Sequence, residues 1–232
     1  MPAKVTGNDC FSAHPSGNDW YETVKLNYGV FYQGGMEKQF KPIPNTWHKM
    51  LDILMFWSRK GVDAFRVDMA EMVPVEFWHW VIAKVHDIFP DVQFIAECYQ
   101  PALYHAYLKA GFNYLYDKVG MYDYLRGVTS KNWPVEGITG QWQASEDIRD
   151  HMLYFLENHD EQRIASDFFA GNGANAKAAM VVSATLNTNP VMIYFGQELG
   201  ERGMDCEGFS GRDGVDGVDG KDGVDGKDGV DG

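Results

Sequence analysis

The sequence predicts an α/β protein that contains part of a (β/α)8 TIM barrel, about its last five β/α units. Short apolar runs alternate with segments whose apolar residues recur at helical spacing, which is typical of a parallel sheet with right-handed crossovers. A doubly wound sheet would satisfy that alternation equally well. Polar residues, however, cluster directly after the apolar runs, and barrel active sites are built at that end of the strands. A loop-rich segment is expected before these units and a low-complexity tail after them.

The predicted units follow one another from residue 45 onward. The first helix covers residues 45–59, where apolar residues recur every three or four positions, with Asn45 or Thr46 as its N-cap and Gly61 as its stop. Pro74 opens the second helix at a first-turn position. The same periods predict strands at 62–67, 92–96, 112–116, 152–156 and 190–195, and helices at 74–89, 101–109, 119–126, within 133–147 and at 175–186.

The two ends of the chain differ in composition from its middle. Residues 1–44 are rich in Gly, Asn, Asp and Pro and are interpreted as loops with short strands. Residues 211–232 carry glycine at every third position, a period typical of collagen, but they contain no proline to preset the required backbone geometry. We therefore expect a disordered collagen-like tail, with a weak trimerising element or a segment of foreign origin as the alternatives.

Charge and composition exclude several classes of partner. The chain carries 33 acidic against 20 basic side chains, a formal charge of −13, which opposes binding to nucleic acid or to an anionic membrane. No apolar run approaches the roughly 20 residues that span a bilayer, and no signal peptide is visible. The three cysteines, Cys10, Cys98 and Cys206, indicate neither a disulfide framework nor a zinc site. The sequence does not indicate the cellular compartment of the protein.

Three carboxylates follow three of the predicted strands. Arg66 and Asp68 share parity on their strand, so the arginine is expected to hold the aspartate ionised and oriented, as a carboxylate nucleophile requires. Glu97 follows an apolar run, where an apolar wall favours the protonated form needed for general-acid work. Asp160 supplies the third carboxylate. The alternatives are a structural ion pair for Arg66 with Asp68 and a helix N-terminal acid for Glu97.

Three motifs carry a family resemblance. GVDAFRVD at 61–68, FIAE at 94–97 and FLENHD at 155–160 resemble, in order and spacing, three conserved regions of the alpha-amylase family of glycoside hydrolases (family thirteen). The run at 190–198 resembles the last barrel strand of that family, so the resemblance covers roughly residues 18–213. It implies that residues 45–210 are a partial catalytic barrel and that residues 1–44 are the end of an inserted loop domain.

The resemblance also implies roles for five residues. Asp68 would be the nucleophile that forms a covalent glycosyl-enzyme, and Glu97 would protonate the leaving oxygen and then activate water. Asp160 would bind sugar hydroxyls and favour a distorted ring, Arg66 would orient Asp68, and His159 would bind substrate hydroxyls. The implied reaction is the retaining cleavage of α-glycosidic bonds in starch, glycogen or maltooligosaccharides, with the two carboxyl groups about 5 Å apart. An ordinary core or surface histidine is the alternative for His159.

The sequence also departs from the family pattern. No counterpart of the first conserved region or of the first three barrel strands is present, so the chain resembles the second half of a catalytic domain, whose native start is expected upstream of Met1. Glu71 and Met72 stand where many alpha-amylases have Lys-His, which leaves subsite preference open. The family's common calcium site draws ligands from the absent region, so calcium is not assigned to any residue here, and no other cofactor is implied.

Two classes of function remain open at this point. One is a retaining α-glucan hydrolase or a transglycosylase of the same family, which differ in whether water or a sugar accepts the glycosyl group. The other is a non-catalytic barrel fragment that binds sugar weakly or self-associates through open sheet edges. Uncovered apolar faces, expected to include Trp47 and Leu51 on the first helix, would promote that self-association.

Overall fold

The computed structural model of the protein describes Ser16, residues 25–32 and residues 35–203. The tail predicted at 211–232 lies outside the described residues, as does most of the first half of the loop-rich segment. The chain divides into two compact units, with the boundary between Tyr116 and Asp117.

The first unit combines a short antiparallel hairpin with parallel strands that alternate with helices. Its elements in chain order are β1 (Val30–Phe31), β2 (Glu37–Lys38), α1 (Asn45–Arg59), β3 (Ala64–Val67), α2 (Val75–His86), β4 (Gln93–Ala96), α3 (Tyr104–Ala110) and β5 (Tyr114–Tyr116). β3 pairs in parallel with β4, and β4 pairs in parallel with β5, so the order of these strands follows the chain. Short 3-10 turns at Ala70–Met72 and Pro101–Leu103 follow β3 and β4.

The helix boundaries of this unit follow from proline and glycine. α1 has the predicted bounds, but Pro44 stands at its N-cap and no side chain caps it, so the prediction of an Asn45 or Thr46 cap is wrong. Proline suits that position because it has no N–H of its own to satisfy. α3 ends at Gly111, whose φ of +118° favours glycine. A Cβ there would lie 2.7 Å from Ile82 Cγ2, which leaves no room for a side chain.

Aromatic packing builds the core of the first unit. The Trp47 ring lies 5.5 Å from that of Phe77 and 5.6 Å from that of Trp80, and its indole N–H donates to the Tyr28 carbonyl at 3.0 Å. Trp47 is therefore buried, and the expectation that it faces water is wrong; Leu51 is half-buried. The apolar side chains that α1 does expose are about half accessible and form what we call its outer face: Ile53, Phe56 and Trp57.

The second unit repeats the alternation of helix and parallel strand. Its elements are a π-helical turn at Lys118–Tyr122, then α4 (Asp123–Lys131), α5 (Gly137–Ala144), β6 (Met152–Phe155), α6 (Lys177–Thr185) and β7 (Val191–Met192). β6 pairs in parallel with β7, with Tyr154 opposite Val191. All four residues of β6 are buried, as expected for a strand covered on both faces. The Tyr122 ring stacks on that of Phe155 at 5.0 Å.

Two elements of the second unit differ from the prediction. The helix expected at 119–126 starts with the π-helical turn, where the buried Asp117 side chain accepts the Met121 N–H at 2.8 Å, and it extends to Lys131. β7 is shorter than the predicted strand at 190–195. Its chain turns away at Tyr194, whose N–H bonds to the Gln197 side chain at 3.0 Å.

Parallel strands joined by helices in both units confirm the α/β prediction. In the part of the chain that the structure describes, no helix combines the length and the apolar character needed to cross a membrane.

Candidate active site

Arg66 and Asp68 lie together at the carboxyl end of β3. Their positions two residues apart place both side chains on the same side of the extended chain. The Arg66 Nη1 atom donates to Asp68 Oδ1 and forms an ion pair with it. The Asp68 side chain remains 66% exposed, so its second oxygen is open to an incoming ligand. The predicted pairing of these two residues is present.

Arg66 also contacts one residue that follows β4 and one residue at the end of β5. Its Nη2 atom lies 3.2 Å from Glu97 Oε1 as an ion pair, and its Nε donates to the Tyr116 hydroxyl at 3.1 Å. Burial lowers the pKa of Arg66, but the hydrogen bonds to Tyr116 and Asp68 outweigh it and raise the pKa above its ordinary value. A permanently charged guanidinium therefore touches two carboxylates, one on each side of its planar fork.

Glu97 follows β4 and is held by two hydrogen-bond donors and an ion pair. Its side chain is only 8% exposed. Oε2 accepts the Met69 N–H at 2.7 Å, and Oε1 accepts the Tyr99 hydroxyl at 2.8 Å beside Arg66. The parallel register explains its place, because Val67 lies opposite Ala96, and the residues that follow them emerge at the same edge of the sheet.

The turn after β3 has an unusual backbone that serves this contact. Met69 adopts the left-handed conformation, with φ of +45°, which is uncommon for a residue other than glycine. The conformation directs the Met69 N–H at the Glu97 carboxylate, and the next N–H, of Ala70, bonds to the Glu97 carbonyl at 3.1 Å. Both the main chain and the side chain of Glu97 are thereby fixed against the turn that carries Asp68.

His159 and Asp160 lie together in the second unit. His159 Nε2 is 3.1 Å from Asp160 Oδ2, and both side chains are about half exposed. The Asp160 N–H bonds to the Asn158 side chain at 2.9 Å. Just before them, the fully buried Glu157 forms an ion pair with Arg163, with 3.2 Å between the two side chains. A buried ion pair therefore anchors the loop at 157–163, whereas His159 and Asp160 in the same loop stay accessible.

The structure thus brings Arg66, Asp68 and Glu97 together in the first unit, and His159 with Asp160 in the second. The convergence of these two groups stays a prediction. Sequence reasoning did not assign the contacts made by Tyr99 and Tyr116. Tyr99 shares parity with Glu97 in an extended segment, and this signal would have placed its hydroxyl on the side of the carboxylate.

The acidic and histidine side chains do not form a metal site in the described ranges. Nowhere there do three His, Cys, Asp or Glu side chains come close enough together to hold a metal ion. No chemical step is therefore assigned to a metal ion.

The sequence can be compared with known families and proteins. The family described as alpha amylase, catalytic domain, matches residues 16–229. An alpha-1,4-glucan:maltose-1-phosphate maltosyltransferase of Cereibacter sphaeroides is 33% identical over 109 residues, which cover 44% of this chain and 17% of that protein. The protein of the same name from Burkholderia pseudomallei is 36% identical over 111 residues, 44% of this chain and 10% of its own. The chain thus spans less than a fifth of the length of either relative.

Solved structures show the same fold. The ligand-free cyclic alpha-maltosyl-(1→6)-maltose hydrolase of Arthrobacter globiformis has a TM-score of 0.64 at 21% identity, over 72% of this chain and 39% of that one. The alpha-amylase of Geobacillus thermoleovorans, in complex with acarbose, has a TM-score of 0.63 at 22% identity, over 73% and 40%. The fold is therefore α/β and part of a TIM barrel, as predicted. Since the family match covers most of the chain, the protein belongs to the alpha-amylase catalytic-domain family of enzymes.

Proposed function

We propose that the protein acts on α-glucans by the retaining mechanism, with Asp68 as nucleophile and Glu97 as acid and base. One observation carries the proposal: the Arg66 guanidinium contacts both carboxylates at the ends of adjacent parallel strands. Two carboxyl groups close together are what a retaining glycosidase requires. Starch, glycogen or maltooligosaccharides are the proposed substrates.

Asp68 has the properties of a carboxylate nucleophile. The ion pair with Arg66 holds the Asp68 carboxylate beside a fixed positive charge. Its exposure leaves one oxygen free to attack the anomeric carbon of a bound sugar. Arg66 orients it, and the bond from Arg66 Nε to Tyr116 orients the arginine in turn.

Glu97 is suited to work on the other side of the scissile bond. Oε1, which lies on the side of Arg66 and Asp68, is the oxygen proposed to exchange a proton with the leaving group, whereas Oε2 accepts the Met69 N–H. Glu97 is proposed to donate its proton to the leaving oxygen in the first step and to accept a proton from water in the second. Formation of the glycosyl ester removes the negative charge of Asp68, so Arg66 is then free to pair with Glu97 alone.

Asp160 and His159 are proposed to bind sugar hydroxyls. Their side chains are about half exposed and lie 3.1 Å apart. The carboxylate can accept a hydrogen bond from one sugar hydroxyl, and an imidazole N–H can donate to a neighbouring one. We propose residues 45–210 as the catalytic part of the chain, residues 1–44 as the end of an inserted loop domain and residues 211–232 as a separate tail.

Transfer to a sugar is the second candidate reaction. It is favoured by the names of the curated relatives, which are maltosyltransferases at 33% and 36% identity. Hydrolysis and transfer share the glycosyl-enzyme and differ only in the acceptor. Analysis of the products from a maltooligosaccharide separates them, because transfer yields chains longer than the substrate. Binding of sugar without turnover is the outcome expected of a non-catalytic fragment.

The test uses the full chain and an α-maltosyl fluoride, whose leaving group needs no acid. We expect a glycosyl ester on Asp68, detected by mass spectrometry of peptides, and its loss in Asp68→Asn. Glu97→Gln should retain labelling by the fluoride while losing turnover of maltooligosaccharides. Asp63→Asn, at an exposed aspartate just before β3, is the matched control. Absence of any adduct on Asp68 in Glu97→Gln, which lacks the base that removes the ester, or turnover by Asp68→Asn at the wild-type rate, would overturn the proposal.

A further inference from the structure

Glu71 makes an unusual set of contacts close to the proposed acid. It lies in the 3-10 turn after β3, at a position where many alpha-amylases have a lysine. One of its oxygens, Oε2, accepts the N–H of Tyr99 and the N–H of Gln100, each at 3.1 Å. The Cys98 thiol donates to the same oxygen at 3.4 Å. Three donors from the segment after β4 therefore converge on one carboxylate oxygen of the segment after β3.

The contacts between these two segments are reciprocal. Glu97, in the segment after β4, accepts the Met69 N–H from the segment after β3. Glu71, in the segment after β3, accepts N–H groups from the segment after β4. A carboxylate from each side thus holds the backbone of the other. The bond to Glu97, at 2.7 Å, has the length of a charge-assisted hydrogen bond, whereas the two bonds to Glu71, at 3.1 Å, have an ordinary length.

Tyr99 connects Glu71 to Glu97. Its backbone N–H bonds to Glu71, and its hydroxyl donates to Glu97 Oε1 at 2.8 Å, the oxygen proposed to exchange the proton. If the backbone at Tyr99 shifts, the hydroxyl moves with it. The neighbouring Cys98 remains a neutral donor, because burial raises the pKa of its thiol to about 12.

We propose that Glu71 is a positioning residue that acts through Tyr99 to hold Glu97 in its productive place. Its catalytic consequence rests on the proposed function, in which Glu97 is the acid. Displacement of a reacting group by about 1 Å costs on the order of a hundredfold in rate. Where many alpha-amylases have a lysine, this chain thus has a glutamate that accepts hydrogen bonds from its own backbone.

The experiment compares Glu71→Ala, Glu71→Gln and Tyr99→Phe in the full chain. Glu76→Gln is the matched control, because Glu76 is a partly exposed glutamate of the same unit that pairs with Lys38 at the surface. Glu71→Gln keeps an acceptor oxygen and should rescue most of the effect. Tyr99→Phe removes only the hydroxyl that contacts Glu97, so it tests the same chain of contacts if Glu71→Ala fails to fold.

Two readouts separate positioning from general damage. Amide hydrogen exchange at Tyr99 and Gln100 should accelerate about fivefold to tenfold in Glu71→Ala, the effect of one lost hydrogen bond. Cleavage of maltotriose, which needs the acid, should slow at least about tenfold in both Glu71→Ala and Tyr99→Phe. Release of fluoride from α-maltosyl fluoride in the first turnover, a step that needs neither the acid nor the base, should change less than about threefold. Maltotriose cleavage by the double variant Glu71→Ala with Tyr99→Phe should slow by less than the product of the two separate factors, because both substitutions act on the same contact.

Specific outcomes overturn the inference. Unchanged exchange at Tyr99 and Gln100 in Glu71→Ala, or equal slowing of both substrates, would show that Glu71 does not position Glu97. If wild-type protein cleaves neither substrate, the proposed function fails, and the positioning is judged from the Glu97 carboxyl ¹³C resonance instead. That resonance should move in Tyr99→Phe and in Glu71→Ala in the same direction, and its constancy in Glu71→Ala would refute the role.

Discussion

Asp117 offers a sharp test of the electrostatics of the second unit. Its side chain is 4% exposed, and burial raises its pKa from 3.8 to about 6, although the N–H groups of Met121 and Gly120 act in the opposite direction. The folded protein therefore binds this proton more tightly than the unfolded chain does. Stability from this group is fully present below pH 3.8 and is lost as the pH rises through about 6. The difference in pKa corresponds to about 3 kcal/mol in the free energy of unfolding.

Asp117→Asn removes the buried charge and keeps an oxygen that accepts the Met121 N–H. The variant should match wild type near pH 4 and be more stable by up to about 3 kcal/mol at pH 8. Urea unfolding followed by circular dichroism at several pH values between 4 and 8 measures the difference. Asp167→Asn is the control, because the Asp167 side chain is 80% exposed and its pair with Arg202 contributes little. A difference between Asp117→Asn and wild type that does not change with pH would refute the reasoning.

Three further predictions concern stability and association. Arg163→Met should cost about 3–5 kcal/mol in urea unfolding, because it leaves the fully buried Glu157 without its partner, and a smaller loss in the double variant with Glu157→Gln would confirm the cause. Gly111→Ala should destabilise by more than about 1 kcal/mol, since its Cβ would meet Ile82, and a neutral result would contradict the close packing. Phe56→Ser, on the outer face of α1, should shift the protein toward monomer in light scattering if that face drives self-association; unchanged association would point to the sheet edges instead.

Much of the fold was predictable because it depends on local periodicity. The bounds of α1 were correct, since its apolar residues recur at helical spacing over 15 residues. The places of Asp68 and Glu97 were also predictable, because a parallel register aligns the ends of β3 and β4. The burial of Trp47 was not, because its neighbours include Phe40 and the Tyr28 carbonyl, from a segment without a regular pattern.

The finer architecture of the site depends on contacts that no period encodes. Glu71 and Tyr99 are 28 positions apart, and their bond exists only because two turns after neighbouring strands meet. The left-handed backbone of Met69 likewise has no signature, since methionine shows no preference for that conformation. The residue types at the strand ends therefore indicated the chemistry, whereas the groups that position the carboxylates depend on tertiary contacts.

The exchange of hydrogen bonds between the segments after β3 and β4 has a consequence for chimeric enzymes. A graft that replaces only the segment carrying Glu71 leaves the N–H groups of Tyr99 and Gln100 without their acceptor. A graft that replaces only the other segment removes the acceptor of the Met69 N–H. Loop exchange with other members of the family should therefore succeed more often when residues 69–72 and 97–100 are transplanted as a pair.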